Sequence, residues 1–436
     1  MKKSLVALAA LAASGAVLAQ ATLYGRTDVG YGIKAFSNAN GATHMKQQGV
    51  MDGGNAGNRI GFRGTEDLGG GMKAQFVTEQ GISPTNGALF GVRTATSGLQ
   101  YDGLAGSTNQ FDTGTAGGYS QGTNRQTYVG LEGGFGTVRV GYQYTSVYEV
   151  GTLSGFTNTS EGVIGGEVAH LWGNGAVGGT RANAISYITP RMNGFQASLQ
   201  MGSAGGREQT EWLSSNAATG TTLDKQARTA LQIDYSAGPL RTAMAYTQFN
   251  SQVSARGAGT TTNQNVSATT SAIVITTFNV YGALSGWNVS PTTGNTTYSA
   301  NLLQLAGSYD FGAVKVGLTL NSGTKDVTEG PSAVTFGTQP SAASGTAVAS
   351  TKYASRALSF DMPMGAMNLV GGMSNSSLDV GSTATNDWAT RQVGLKYNFS
   401  KRTIAYGYIG SSSDSLATTT AVKDKSQTIF GIDHQF

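Results

Sequence analysis

Beyond residue 21 the chain is patterned with period two, and no apolar run in that part approaches the length of a membrane-spanning helix. Leu231, Ile233 and Tyr235 alternate with Gln232 and Asp234. Phe195, Ala197, Leu199 and Met201 alternate with Gln196, Ser198 and Gln200, and Val393, Leu395, Tyr397 and Phe399 with Gln392, Gly394, Lys396 and Asn398. Successive side chains of a strand point to opposite faces, so each segment forms a strand with one apolar and one wet face.

The connections between these segments alternate in length. Short turns lie at 69–71, 133–136, 190–194, 237–239, 310–312, 362–365 and 399–402, each joining two alternating segments into a hairpin. Long stretches rich in Gly, Ser, Thr, Asn and Ala, such as 81–124 and 325–350, separate the hairpins. Short turns at one end and long loops at the other are the habit of transmembrane β-barrels. Seven hairpins and one strand at each terminus (Thr22 to Phe36, Ser426 to Phe436) give about sixteen strands, an even number that leaves both termini on one side. Residues 251–300 test the count, because Ser271 to Leu284 is apolar and β-rich. Its candidate partner, Asn288 to Ser299, is polar and carries Pro291, so the stretch reads as a long outer loop, with eighteen strands as the alternative.

Aromatic residues sit beside the short turns (Phe135, Phe195, Tyr235, Tyr309, Phe311, Tyr397 and Phe399 among them), where ring side chains prefer a membrane interface. The opposite faces are too polar and Gly-rich to pack as the core of a soluble β-sandwich. Gly makes up 64 of 436 residues, charged residues only 12%, and there is no cysteine, so stability rests on something other than disulfides.

Lys2 and Lys3 precede an apolar run from Leu5 to Leu18 that ends in small residues, the layout of an export signal. The run is too short to span a bilayer, which takes roughly 20 apolar residues. Residues 1–21 are therefore expected to be a signal peptide, with cleavage after Ala19 or Ala21, and 22–436 the barrel. Removing both lysines lowers the formal charge from +4 to +2, a balance that argues against a nucleic-acid-binding surface.

Thr22-Leu23-Tyr24-Gly25, the run Arg59-Ile60-Gly61-Phe62-Arg63-Gly64-Thr65-Glu66-Asp67-Leu68-Gly69, Phe135-Gly136-Thr137-Val138 and the closing Gly431-Ile432-Asp433-His434-Gln435-Phe436 resemble the general diffusion porins of Gram-negative bacteria, in particular their beta-proteobacterial branch. The resemblance implies a homotrimer of sixteen-stranded outer-membrane barrels, set in lipid and lipopolysaccharide, each with a water-filled pore narrowed by its third outer loop. It also implies that Phe436 is read by the outer-membrane assembly machinery. Phe430, Ile432, His434 and Phe436 share one parity, expected to face lipid.

A pore selects by charge on its inner face. Arg59 is followed by Phe62 and Gly64, and Arg125 by Tyr128 and Gly130, so an outward ring of opposite parity is expected to leave each guanidinium inward. The resemblance implies an arginine cluster at these two positions, with Arg181 as the third. Strict alternation with Ile185 and Tyr187 points Arg181 outward unless a bulge intervenes. Arg26, Arg63 and Arg139 also fall on inward positions, as do Asp28 and Asp67, which dilute the positive field. The constriction loop is expected over about 148–180 and carries Glu149, Glu161 and Glu167. In the resemblance such acids face the arginines across the narrowest point. Ile164-Gly165-Gly166-Glu167 loosely matches the family's loop motif without its preceding proline, and Tyr142 stands where many members have an arginine.

An enzyme is not expected. The histidines are His44, His170 and His434; the adjacent Asp433 and His434 point to opposite faces of a strand, and the other two stand in loops without an evident catalytic partner. No cofactor motif stands out, since GxG spacings arise by chance in so Gly-rich a chain. The expected function is passive diffusion of small hydrophilic solutes and ions with a weak preference for anions. The alternatives are a substrate-specific channel for organic anions and a barrel whose loops bind other surfaces.

Overall fold

The computed structural model describes residues 21–38, 44–52, 54–85, 88–89, 125–154, 181–203, 220–256, 273–275, 287–289, 294–328, 334–336, 348–380, 384–414 and 422–436. The expected signal peptide, Glu161, Glu167 and His170 lie outside the described residues.

The alternating segments form strands. In chain order these are β1 (Thr22–Asn38), β2 (His44–Asp52), β3 (Arg59–Gly69), β4 (Met72–Ser83), β5 (Ala88–Leu89), β6 (Gln126–Gly133), β7 (Gly136–Tyr144) and β8 (Arg181–Ile188). After them come β9 (Phe195–Ser203), β10 (Gly220–Ala237), β11 (Leu240–Arg256), β12 (Ile273–Ile275), β13 (Trp287–Val289), β14 (Gly294–Asp310) and β15 (Lys315–Thr328). The last are β16 (Val334–Phe336), β17 (Val348–Met364), β18 (Met367–Val380), β19 (Ala384–Asn398), β20 (Thr403–Asp414) and β21 (Val422–Gln435). A single helical turn and a half, α1 (Ser146–Gly151), follows β7.

Sixteen strands make one closed antiparallel wall; β2 extends it along the upper half of β1, β5 is a two-residue strand paired with β4, and β12, β13 and β16 form a separate sheet. Closure is a physical requirement for a strand protein in lipid, because hydrocarbon offers no partner for the unpaired N–H and C=O groups of a free edge. It is achieved by β1 pairing with β21, from Arg26↔Gln435 upward. The last residue completes the seam: Gly25 N–H donates to the Phe436 carbonyl at 3.0 Å and Phe436 N–H to the Gly25 carbonyl at 3.1 Å. β11 pairs directly with β14 from Leu240↔Tyr309 to Ala255↔Gly294, so no additional strand pair enters the wall within 251–300. Sixteen strands therefore stand, and the eighteen-strand alternative falls.

The seven short turns join the hairpins expected of them. At Gly69, Gly70 and Gly71, φ values of 79°, 62° and 80° explain the triplet, since side chains with a Cβ avoid that region. Asp67 caps this turn by accepting from the Gly69 N–H at 2.8 Å, so its carboxylate serves the turn and not the pore.

The two faces differ as the alternation requires. Outward residues such as Val129, Ile185, Met373, Ile409, Phe430 and Ile432 are exposed and apolar, whereas Gln200, Gln304, Thr319, Ser355 and Gln392 are buried on the inner side. Rings cluster near the short turns: Phe195 with Tyr235 and Tyr309 with Phe311 both at 4.6 Å between centroids, and Tyr397 with Phe399 at 4.9 Å. A sixteen-stranded circumference is too wide for side chains alone to fill, so the wall encloses a lumen.

Candidate functional site

After Tyr144 the chain turns off the wall into that lumen. Thr145 caps α1, its hydroxyl accepting from Tyr148 N–H at 3.3 Å, and the Tyr144 and Tyr148 rings stack at 4.3 Å. The helix crosses to the far side of β8, β9 and β10, where Val150 packs on Ala243, Ala245 and Ala306 with Leu153 beside them. These alanines lie between exposed Met244, Tyr246 and Leu305, which places them on the inner face. Their small size is what lets a helix backbone approach the wall. Gln200 and Gln304 hold the crossing segment by donating from Nε2 to the carbonyls of Tyr144 (2.9 Å) and Val147 (3.4 Å). The lumen is thus narrowed where α1 enters it.

A cluster of guanidinium groups gathers at the root of this helix. Arg59 lies on β3 with Gly61 and Arg63, on the face opposite exposed Phe62. Gly61 pairs with Glu79 of β4, and Glu79 becomes the hub. Its carboxylate accepts from Arg125 Nε, from the Tyr24 hydroxyl at 3.1 Å, and stands 3.7 Å from Arg59 Nε. Arg125 also donates from Nη2 to the Tyr144 hydroxyl at 2.8 Å. Arg181 donates to that same hydroxyl at 3.4 Å while its guanidinium lies 4.8 Å from the centroid of the Tyr144 ring. Two guanidinium groups at the carboxylate of Glu79 and a third at Tyr144 leave the cluster net positive.

Arg125 reaches this position by a route other than the one parity suggests. Thr127, Val129 and Leu131 are exposed on β6, so Tyr128 between the first two faces inward, with the Arg139 guanidinium 5.0 Å from its ring centroid. Arg125 precedes the first residue of β6 and is not bound by its alternation, which leaves the side chain free to turn to Glu79. Arg181 shares the parity of exposed Ile185 and Tyr187, yet as the first residue of β8, opposite Tyr144, its long side chain folds back over that ring.

The other basic residues are scattered. Arg26 is spent in an ion pair with Asp433, and Arg63 lies 5.1 Å from the Tyr24 ring centroid. Asp28, fully buried, is occupied by hydrogen bonds from the chain and carries no open charge to the pore. Glu149, on α1, hydrogen-bonds Gln232 and lies within electrostatic reach of Arg139. The surrounding walls raise its carboxyl to about 7, with Arg139 opposing the rise; water at its exposed side chain also works against it.

Sequence reasoning missed Glu79 and Tyr144. The signal for Glu79 was present: with Gln75 and Val77 it holds one parity of β4, the strand after Arg59. Tyr144 carried none, because its role depends on where the wall ends. His434 meets the Thr403 hydroxyl at 2.9 Å on the face opposite Asp433, and His44 begins β2 opposite Ser37. Among the described residues no group of three or more His, Cys, Asp or Glu is placed to hold a metal ion.

A family model described as Gram-negative porin matches residues 5–335. Outer membrane porin protein 32 of Delftia acidovorans is 35% identical over 212 residues, which cover 45% of this chain and 48% of that protein. Major outer membrane protein P.IB of Neisseria meningitidis serogroup B is 29% identical over 203 residues, 46% of this chain and 49% of that one. The matched region thus spans about half the length of these relatives. Among solved structures, an anion-selective porin from Comamonas acidovorans aligns over 96% of this chain and 100% of its own, with a TM-score of 0.60 and 20% identity. OmpT, an outer membrane protein of Vibrio cholerae, aligns over 95% and 97% with a TM-score of 0.53 and 13% identity. These likenesses establish the barrel fold.

Proposed function

Because the chain belongs to the Gram-negative porin family, we propose that it is a diffusion channel of the outer membrane that passes small hydrophilic solutes and ions with a weak preference for anions. The observation that carries this reading is the gathering of three guanidinium groups at the root of the lumen-crossing helix, Arg59 and Arg125 at the Glu79 carboxylate and Arg125 and Arg181 at the Tyr144 hydroxyl. Fixed charge at the narrowest part of a pore sets which ions enter it. The structural neighbour from Comamonas acidovorans, described as anion-selective, has the same fold. In this reading Arg26, Arg63 and Arg139 line the wall away from the narrowest point, and Glu149, Glu161 and Glu167 supply the opposing acids. The working protein is a homotrimer, released from its signal peptide after Ala19 or Ala21 and delivered to its membrane through Phe436.

Zero-current potentials across planar bilayers under a KCl gradient test it. The expected result is a chloride-to-potassium permeability ratio above one that falls in Arg59→Ala and in Arg125→Ala. Cation selectivity untouched by either change would overturn the reading. A channel specialised for organic anions is favoured by one further observation: Arg228, buried on β10, leaves Nε and Nη2 without a hydrogen-bond partner. Saturable block of the chloride current by one carboxylate solute, lost in Arg228→Gln, is the mark of that second reading.

A further inference from the structure

Residues 54–58, between β2 and β3, leave the wall and fold inward. β1 pairs with β2 from Val29↔Asp52 upward and with β3 from Arg26↔Arg59 downward, so the two lower-numbered partners read as one strand interrupted by this segment. Gly54, Asn55 and Asn58 are buried. What buries them is a polar lattice on the inner face of the barrel seam. Asn55 N–H and Ala56 N–H donate to Asp28 Oδ2 at 2.6 and 2.5 Å, and Asp28 N–H donates to Asn58 Oδ1. Asn55 Nδ2 donates to Asp433 Oδ2 at 2.6 Å, while Asn55 Oδ1 accepts from the Tyr408 hydroxyl at 2.7 Å. The Tyr406 hydroxyl donates to Asp28 Oδ1 at 2.6 Å and accepts from Gly54 N–H at 3.1 Å. Asn55 thus ties three wall strands to the segment, β20 and β21 through its carboxamide and β1 through its backbone N–H.

The far side of the segment meets the arginine cluster. Arg59 is the residue that follows Asn58, and a Cβ added to Gly57 would come within 3.2 Å of Arg125 Nη1. Asn58 also accepts at its carbonyl from Ile82 N–H at 3.4 Å, which joins the segment to the strand that carries Glu79. A rigid support shaped by buried hydrogen bonds is what holds long, flexible side chains in one geometry.

We propose that residues 54–58 form an internal shelf that positions Arg59 and Arg125 in the pore, with Asn55 as its principal positioning residue, held by Asp28, Asp433 and Tyr408. The proposal rests on the reading that those two arginines set ion preference. With the shelf loosened, the guanidinium groups spread over several rotamers and the pore loses definition in its field, although no charge has been removed.

Charge-neutral variants separate position from charge. Asn55→Ala and Tyr408→Phe remove the tie; Gly57→Val leaves the lattice intact and pushes the Arg125 guanidinium from its bed. Each is purified as a heat-modifiable folded barrel and its chloride-to-potassium permeability ratio compared with wild type, Arg59→Ala and Arg125→Ala. The expected result is a fall of about twofold in Asn55→Ala and Gly57→Val, a shift of the size that a few tenths of a kcal/mol in ion stabilisation produces. Tyr408→Phe is expected to fall between these and wild type. Wild-type ratios in folded Gly57→Val and Tyr408→Phe, alongside reduced ratios in the two arginine variants, overturn the shelf and leave the channel reading intact. Unchanged ratios in the arginine variants themselves overturn the channel's charge assignment instead. Should Asn55→Ala fail to fold, Gly57→Val decides, because the atom it displaces is the mobile end of a side chain and not the wall.

Discussion

Glu79 is the residue whose change tests the pore most sharply. It is the negative member of a cluster with three guanidinium groups, and Glu79→Gln keeps its shape and its acceptor oxygen for Tyr24 while removing one charge. The magnitude follows from Coulomb's law. An ion passing about 8 Å from the lost carboxylate feels ~0.5 kcal/mol less of its field in a medium of dielectric about 80. Screening over a Debye length of about 10 Å reduces that to ~0.2 kcal/mol. The change is favourable for an anion and unfavourable for a cation, so the two effects separate the permeabilities by ~0.5 kcal/mol, or about twofold. A pore wall of lower dielectric makes the shift larger, so about twofold is the floor. Zero-current potentials at about 0.1 M KCl, where the Debye length applies, should move toward the chloride equilibrium potential, and the shift should shrink at about 1 M salt. A ratio that does not move, or that moves toward potassium in a folded barrel, refutes the inference that this cluster lines the conducting path.

Arg59→Ala and Arg125→Ala are expected to move the same potential in the opposite direction, with the double variant exceeding either alone. Protonation removes the negative charge of Glu149, so anion preference should rise as pH falls from about 7 toward the ordinary carboxylate range, and Glu149→Gln should abolish that pH dependence when conductance is titrated. Ala245 is fully buried beneath α1, and Ala245→Leu overpacks that contact; about 1–3 kcal/mol of crowding is expected to displace the helix and not the hydrogen-bonded wall, altering single-channel conductance while heat-modifiable migration stays that of wild type. Phe430 points outward from the closing strand, and Phe430→Arg should cost about 2–4 kcal/mol if its site lies near the bilayer midplane, measured by urea unfolding from lipid vesicles.

Much of the fold was legible in the sequence because the period of a strand is two and lipid tolerates only one kind of residue on the outer face. Leu231, Ile233 and Tyr235 declared their strand and its direction without help from any neighbour. The Gly69-Gly70-Gly71 triplet and its counterparts marked where the chain reverses. The closing residues from Phe430 to Phe436 showed their parity, and the structure bears it out in exposed Phe430, Ile432 and Phe436 and buried Asp433. Arg59 could be assigned inward for the same reason: although it opens β3, it is paired on both sides, with Arg26 and with Gly81, and keeps the alternation of its strand.

Where alternation stops, the sequence stopped being informative. Arg125 and Arg181 stand at strand starts, and parity misjudged the first through Tyr128 and pointed the second the wrong way. Their meeting place is decided by Glu79 from one neighbouring strand and by Tyr144 at the end of another. The inward fold of residues 54–58 is likewise invisible locally, because its partners Asp28, Tyr408 and Asp433 are up to 378 positions away in the chain. Local periodicity determined that this chain makes strands with one face for lipid and one for water, since each residue's face depends only on its neighbours. Which inward charges meet was decided by how the ends of β3, β4, β6, β7 and β8 lie side by side, and what holds residues 54–58 there was decided only when closure of the wall brought the first strand against the last.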